Sequence, residues 1–473
     1  MLWGAALLPI EGHAQTDRYE LGLRVRASEA AWDAYPAAEA RRRAVPKVQG
    51  AVMGFFSGQF ASVGKALDEA RFALRSERPP EPAEIWAASL SLFPETRLLD
   101  TSVASLSCTL RAFYATTEIP PQATLELRLM PLRDTTAPPA LIFRQPIAAL
   151  PLEAKLALRN VAEGDYMLQM RVRVGAKVMA QQERTLSFAM RLKSRLEALQ
   201  AIPISMEDTH QATLASLTKL LTALADRRTF ETDYPAARLL QEAEAVAEAT
   251  RTGKRYYGAK RVGQFWLTLA HEKRATPVRL LAPRAVEEGQ PLPLVIALHG
   301  AGGSENLFFD GYGRGKIVGL CAQRGWLLVA PRAQGGLGAV PLPDLIEAVN
   351  RLYPVDRKRV FLIGHSMGAM QAWNAVQRQP ELFAGIAALS GGGFLKPSDA
   401  LKKLPFFLGV GAQDFSLAMA RQAQAELKKA EVTTLVYREY PECEHLFAVQ
   451  VALPDVFAFL DKIAALPCPG TTR

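Results

Sequence analysis

Between Val360 and Ala369 the chain runs Val360-Phe361-Leu362-Ile363-Gly364-His365-Ser366-Met367-Gly368-Ala369, an order that few backbones accommodate. The four apolar residues fit a buried strand. Ala369, Ala372, Trp373 and Val376 then recur at helical steps and fit one face of a helix. The connection is a turn too tight for side chains at its flanks, with Gly364 and Gly368 where a Cβ would clash. Ser366 at the apex takes strained backbone, its hydroxyl projects past the strand's carboxyl end, and the following helix offers free N–H groups. A bare G-x-S-x-G pentapeptide also arises by chance. The strand before it and the helix after it make Ser366 a candidate nucleophile.

The rest of the chain divides by periodicity, and at 473 residues it is too long for one core. Residues 16–80 read as a helical segment, in which Val52, Phe56, Phe60, Val63 and Leu67 form one core-facing stripe. Pro79-Pro80-Glu81-Pro82 ends it. Over 84–192 the period becomes two: Leu125, Leu127 and Leu129 alternate with charged residues, as do Tyr166, Leu168, Met170, Val172 and Val174 with polar ones. That pattern predicts antiparallel strands in a small β-sandwich. Residues 193–255 read as a helical hairpin and linker, broken at Tyr234-Pro235 and capped by Gly253. From 256 to 466, strands alternate with helices, beginning Phe265–His271, Pro277–Ala282, Leu294–Leu298, Trp326–Ala330 and Val360–Ile363 and continuing Gly385–Leu389, Phe406–Val410 and Thr433–Tyr440. An α/β domain with a mostly parallel sheet covered by helices on both faces is expected there.

Charge and cysteine usage exclude several classes. The net charge of +9 is scattered, with no basic stripe interleaved with aromatics, so nucleic acid is not an expected partner. No apolar run reaches the roughly 20 residues of a membrane span. Residues 1–15 hold a short apolar core ending in Gly12-His13-Ala14 but no positive start. A truncated signal peptide is one reading and favours export, periplasmic or extracellular; an ordinary N-terminus, with a cytoplasmic protein, is the other. The four cysteines have no metal-site spacing; Cys443 and Cys468 are the two that could pair, and unpaired thiols are the alternative.

Three further stretches fall after strands of the last segment, where ligands of such sheets gather. Asp414 closes Gly409-Val410-Gly411-Ala412-Gln413-Asp414, and His445 follows the final strand. A serine hydroxyl needs a base, and a histidine base needs a carboxylate to hold its tautomer. The chain order Ser366, Asp414, His445 suits that division of labour, with Glu444 and Glu442 as reserve acids. The third stretch, His299-Gly300-Ala301-Gly302-Gly303, is nearly free of side chains. Its backbone N–H groups at Ala301 or Gly302, with that of Met367, fit an oxyanion site. His299 and Gly300 support the loop. Phe308, Phe309 and Tyr312 either line a substrate pocket or belong to the core.

With these motifs, the chain from about Tyr256 to Ala465 resembles the α/β-hydrolase fold. It is similar in particular to secreted esterases grouped with polyhydroxyalkanoate depolymerases and with feruloyl and acetylxylan esterases. Prolyl-oligopeptidase-type domains are cousins. The resemblance rests on His299-Gly300-Ala301-Gly302-Gly303, Val355-Asp356, Gly364-His365-Ser366-Met367-Gly368, Asp414 and His445. It implies a metal-free serine ester hydrolase without cofactor, acting on small or polymer-linked esters. A serine peptidase is the alternative, although its relatives carry upstream repeats of roughly 40–50 residues that this sequence lacks. A binding protein on a decayed hydrolase scaffold is a third possibility. Residues before Tyr256 match no pattern of this kind. The short connection Ser390–Leu404 leaves no room for a helical lid, so an open catalytic edge is expected.

Overall fold

The computed structural model describes residues 12–134, 136–258, 260–332, 340–394 and 396–465. The chain forms two compact units whose segments interleave. One takes the described residues up to Ser28, Pro46–Ile202 and Leu217–Ala245; the other takes Glu29–Val45, Pro203–Ser216 and the chain from Val246 onward.

The first unit holds two sheets. Strands Leu90–Pro94, Ser105–Ala112 and Leu152–Ala157 form one, and Leu98–Asp100, Lys177–Ala189, Gly164–Val174, Ala123–Pro131 and Leu141–Pro146 form the other. Leu106 and Leu156 from the first sheet share a buried core with Leu125, Leu127, Leu168 and Phe188 from the second. The two-residue period is therefore real, because alternate side chains of each strand enter one core. The expected single stripe from Val52 to Leu67 does not form. Helix Ala51–Phe56 ends, Gly58 turns at φ 72°, and a new helix runs Phe60–Arg75. Val63 and Leu67 are buried while Phe56 is 50% exposed, because the left-handed turn breaks the helical phase between them.

The second unit is built on an eight-stranded sheet. Its strands are β1 (Gly263–His271), β2 (Arg274–Ala282), β3 (Leu292–Leu298), β4 (Leu327–Pro331), β5 (Val355–His365), β6 (Gly385–Leu389), β7 (Phe406–Gly411) and β8 (Leu435–Tyr440). They lie in the order β8-β7-β6-β5-β3-β4-β2-β1. Pairing from β4 to β8 is parallel, and β1 and β2 add an antiparallel edge. All eight expected strands are present. β5 begins earlier than its apolar run suggests, because Val355 already pairs with Leu292 across a bulge.

Helices α1 (Tyr312–Arg324, entered through a left-handed turn at Gly313–Gly315), α2 (Leu342–Leu352), α3 (Met367–Arg378), α4 (Leu417–Lys429) and α5 (Ala448–Ala464) accompany the sheet. On one face Val295, Ala297, Phe361, Ile363 and Phe407 pack with Ile317 and Cys321 of α1 and with Val449, Leu453 and Phe457 of α5. Strand periodicity turns Leu362 and Phe406 to the other face, where Trp373 of α3 meets the Phe406 ring at 5.6 Å. A sheet buried on both sides explains its nearly unbroken apolar strands. Among the described residues, no helix is long and apolar enough to cross a membrane.

Candidate active site

β5 delivers Ser366 to the carboxyl edge of the sheet. Leu298 of β3 pairs with Gly364, and Leu389 of β6 pairs with His365, so the turn sits between the two neighbouring strand ends. Ser366 has φ 54° and ψ −117°, backbone that a non-glycine residue adopts only under constraint. The constraint is visible at its flanks. A Cβ on Gly364 would lie 2.3 Å from the Gly368 carbonyl oxygen, and one on Gly368 would lie 2.0 Å from that of Leu298. α3 starts immediately, with Met367 as its first residue.

The carboxyl ends of β7 and β8 supply the next two residues. His445 Nδ1 lies 3.0 and 3.1 Å from the two Asp414 carboxylate oxygens, and both side chains are buried. Asp414 Oδ1 also accepts from the Ser416 backbone N–H and hydroxyl, each at 2.8 Å. Burial by itself would raise the Asp414 carboxyl. The hydrogen bond and charge of His445 outweigh it and hold the group down at about 2, so it is ionised throughout the neutral range. The Phe415 ring, 64% exposed, lies against His445 with centroids 4.3 Å apart.

His365, the last residue of β5, has its ring 4.7 Å from that of His445. Burial, followed by the charge of His445, pushes His365 well below the ordinary imidazole range, so it stays neutral beside its neighbour. Its Nδ1 is 2.7 Å from the Tyr312 hydroxyl, which also accepts from Gly300 N–H at 3.4 Å.

The loop after β3 lies beside the serine, since a Cβ on Gly300 would come 3.4 Å from that of Ser366. His299 is buried and its Nδ1 is 2.8 Å from the Gly300 carbonyl. Gly303 N–H closes a turn onto the same oxygen at 3.2 Å, and Gly302 takes φ 76°. In this turn Ala301 is half-buried and Gly302 exposed. The loop's far end is fastened by Arg332, which grips buried Glu305 in two bonds of 2.6 and 2.8 Å. Asn306 there accepts from Trp266 and Arg279.

Other sequence expectations resolve differently. Phe308 and Phe309 are buried in the core with Ile317 and Leu328. Tyr312 is buried too, but its hydroxyl reaches beneath the Gly300 loop. Glu444 does not reach the His445 ring: its Oε1 accepts from Leu446 N–H at 2.9 Å. Cys443 is a buried thiol that donates to the Glu444 carbonyl; Cys468 and residues 1–11 lie outside the described residues. The roles of His365, Tyr312 and Ser416 were not read from the sequence. The spacing Asp414-Phe415-Ser416 is a local turn signature that carried the Ser416 contact.

Glu444 gives a pH test. Burial first, then nearby Asp414, raises its carboxyl to about 8, so the folded state holds a proton that the unfolded chain releases near pH 4.3. Its contribution to stability is full below that unfolded value and is lost as pH rises through about 8. Glu444→Gln keeps the acceptor for Leu446 without an ionisable group. Thermal melts should show the variant more stable than wild type at pH 9 and similar at pH 4; equal melting points at both would refute the assignment.

Residues 295–471 match the model of the alpha/beta hydrolase family. No curated protein matches the chain. Among solved structures, the chain is similar to the feruloyl esterase module from Clostridium thermocellum at 14% identity and TM-score 0.35, over 42% of this chain and 87% of that one. It is similar to an S-formylglutathione hydrolase from Staphylococcus aureus at 15% identity and TM-score 0.36, over 42% and 99%. A thermostable esterase covers 79% of this chain and 99% of its own, at 14% identity and TM-score 0.36. Likeness at this level says nothing of substrate. The family match and the sheet order agree, and the C-terminal part of the chain, residues 295–471, is an α/β-hydrolase domain.

Proposed function

We propose that the protein is a serine carboxylic-ester hydrolase acting on small or polymer-linked esters. The observation that carries this reading is the His445–Asp414 contact at 3.0 Å on the same sheet edge as the strained Ser366 turn. In the mechanism, the Ser366 hydroxyl attacks the ester carbonyl while His445 Nε2 takes its proton. Asp414 holds the other ring nitrogen and stabilises the imidazolium. The oxyanion is met by the N–H of Met367 and of Ala301 or Gly302. His445 returns the proton to the leaving alcohol, and water then releases the acid from the acyl-enzyme by the same steps. His365, kept neutral, adds no repulsion to the imidazolium.

Phe415 beside His445, with Met370 and Met419 in the first turns of α3 and α4, leaves apolar side chains 64%, 47% and 45% exposed at this edge. They support esters with an apolar acyl or alcohol group. The test is turnover of purified protein on short-chain aryl esters, acetylated and feruloylated glycans, and chromogenic peptides. Hydrolysis of esters without peptide cleavage is expected. Cleavage of peptides in preference to esters would replace this reading with the oligopeptidase one.

A further inference from the structure

We infer that Glu29 and Trp32 are positioning residues for this reaction, clamping from the segment Glu29–Val45 both the turn that carries Tyr312 and the loop that carries His445. The chemistry rests on the ester-hydrolase reading; the clamp itself rests on geometry. That segment belongs to the same compact unit as the catalytic sheet.

The first arm acts on a strained turn. Tyr312, Gly313, Arg314 and Gly315 have φ of 48°, 77°, 59° and 72°, four successive residues in left-handed backbone. Two of them are not glycine, and each such residue is disfavoured by roughly 1 kcal/mol or more. A run of this kind turns its N–H groups toward one point and needs an acceptor there. Glu29, itself buried, supplies it: one carboxylate oxygen accepts from Tyr312 N–H at 2.9 Å and the other from Gly313 N–H at 3.2 Å. The turn so held aims the Tyr312 hydroxyl between Gly300 N–H and His365 Nδ1. Glu29 is thereby connected to the oxyanion loop and to the ring packed against His445.

The second arm acts on the histidine loop. Trp32, fully buried, stacks on Phe447 with centroids 4.3 Å apart and planes 12° apart, two positions beyond His445. Arg41 covers the Trp32 ring at 4.7 Å, and Arg42 pairs with Glu442 at 3.0 Å on the other side of the histidine. Gln450 ties the arms together. Its amide donates to the Glu29 carbonyl and to Asp33, each at 3.2 Å, while Lys316 bonds both Asp33 and the Gln450 carbonyl. Triad and oxyanion geometry tolerate little displacement: an error of about 1 Å can lower turnover by about a hundredfold.

The test uses the full chain carrying Glu29→Ala, Glu29→Gln, Trp32→Ala or Trp32→Phe, with two readouts. Hydrogen exchange in peptides spanning 299–304, 312–316 and 442–450 reads the clamp directly. Steady-state hydrolysis of 4-nitrophenyl acetate reads its effect. Both alanine variants should speed exchange in those peptides and lower kcat by about tenfold to a hundredfold with KM little changed. Trp32→Phe, which keeps a stacking ring, should restore most of the loss. Should the alanine variants fail to fold, Glu29→Gln carries the test: with one acceptor where two N–H groups converge, it should still lose about tenfold in kcat. Folded variants with wild-type exchange and wild-type kcat would overturn the inference. A wild type inactive on esters, alongside the expected exchange pattern, would uphold the clamp and overturn the ester-hydrolase reading instead.

Discussion

Ser366→Ala and His445→Ala should each lower turnover of an activated ester by about a thousandfold or more without altering the fold. Ser366→Ala removes a single oxygen, and His445→Ala removes a buried ring from a loop anchored elsewhere. Ser366 is half-exposed, and the His445 loop remains held through Phe447 and Glu442. The losses should not add, because the double variant removes one proton-transfer unit. Asp414→Ala should behave similarly, since no other carboxylate bonds the His445 ring among the described contacts. Near-normal turnover in Asp414→Ala would show that the acid has been misassigned. Circular dichroism and thermal melts on the same samples separate lost chemistry from lost structure.

Gly368→Ala should have the largest effect on stability. Its Cβ would fall 2.0 Å from the Leu298 carbonyl oxygen and 2.7 Å from that of His299, and both obstacles are backbone. No flexible side-chain end is present to give way, so the Ser366 turn or the loop after β3 must move. A loss of about 3 kcal/mol or more is expected, and turnover should fall with it. Gly319→Ala is the control. Nothing lies within 4 Å of its added Cβ, and it sits in α1. That change should be neutral or stabilise by up to about 1 kcal/mol. Denaturation midpoints measured on both variants give the comparison; a fully stable Gly368→Ala would contradict the packing described at the Ser366 turn.

The parts of the molecule legible in the sequence are those encoded by neighbours in the chain. Strands β3 and β5 are buried on both faces, so Leu294–Leu298 and Val360–Ile363 announce themselves as unbroken apolar runs. The glycines at 364 and 368 mark their turn through local sterics. Asp414 and His445 stand out because each closes a short stretch directly after a strand. What escaped is carried by distant contacts. Glu29 meets Tyr312 across 283 positions, and no periodicity encodes such a pairing. Tyr312 reads in sequence with Phe308 and Phe309 as one aromatic cluster, although Gly313 and Gly315 mark the left-handed turn that separates its role from theirs. The stripe across Val52 to Leu67 is broken for a local reason: Gly58 turns left-handed between its two halves.

In the proposed reaction Ser366 carries the acyl group during ester hydrolysis. The most direct measurement is acid quenching of the enzyme during turnover of a 4-nitrophenyl ester, followed by peptide mapping by mass spectrometry. An acyl adduct on Ser366, absent in Ser366→Ala, is the expected result. Undiminished turnover by Ser366→Ala, or an adduct on another residue, would contradict it.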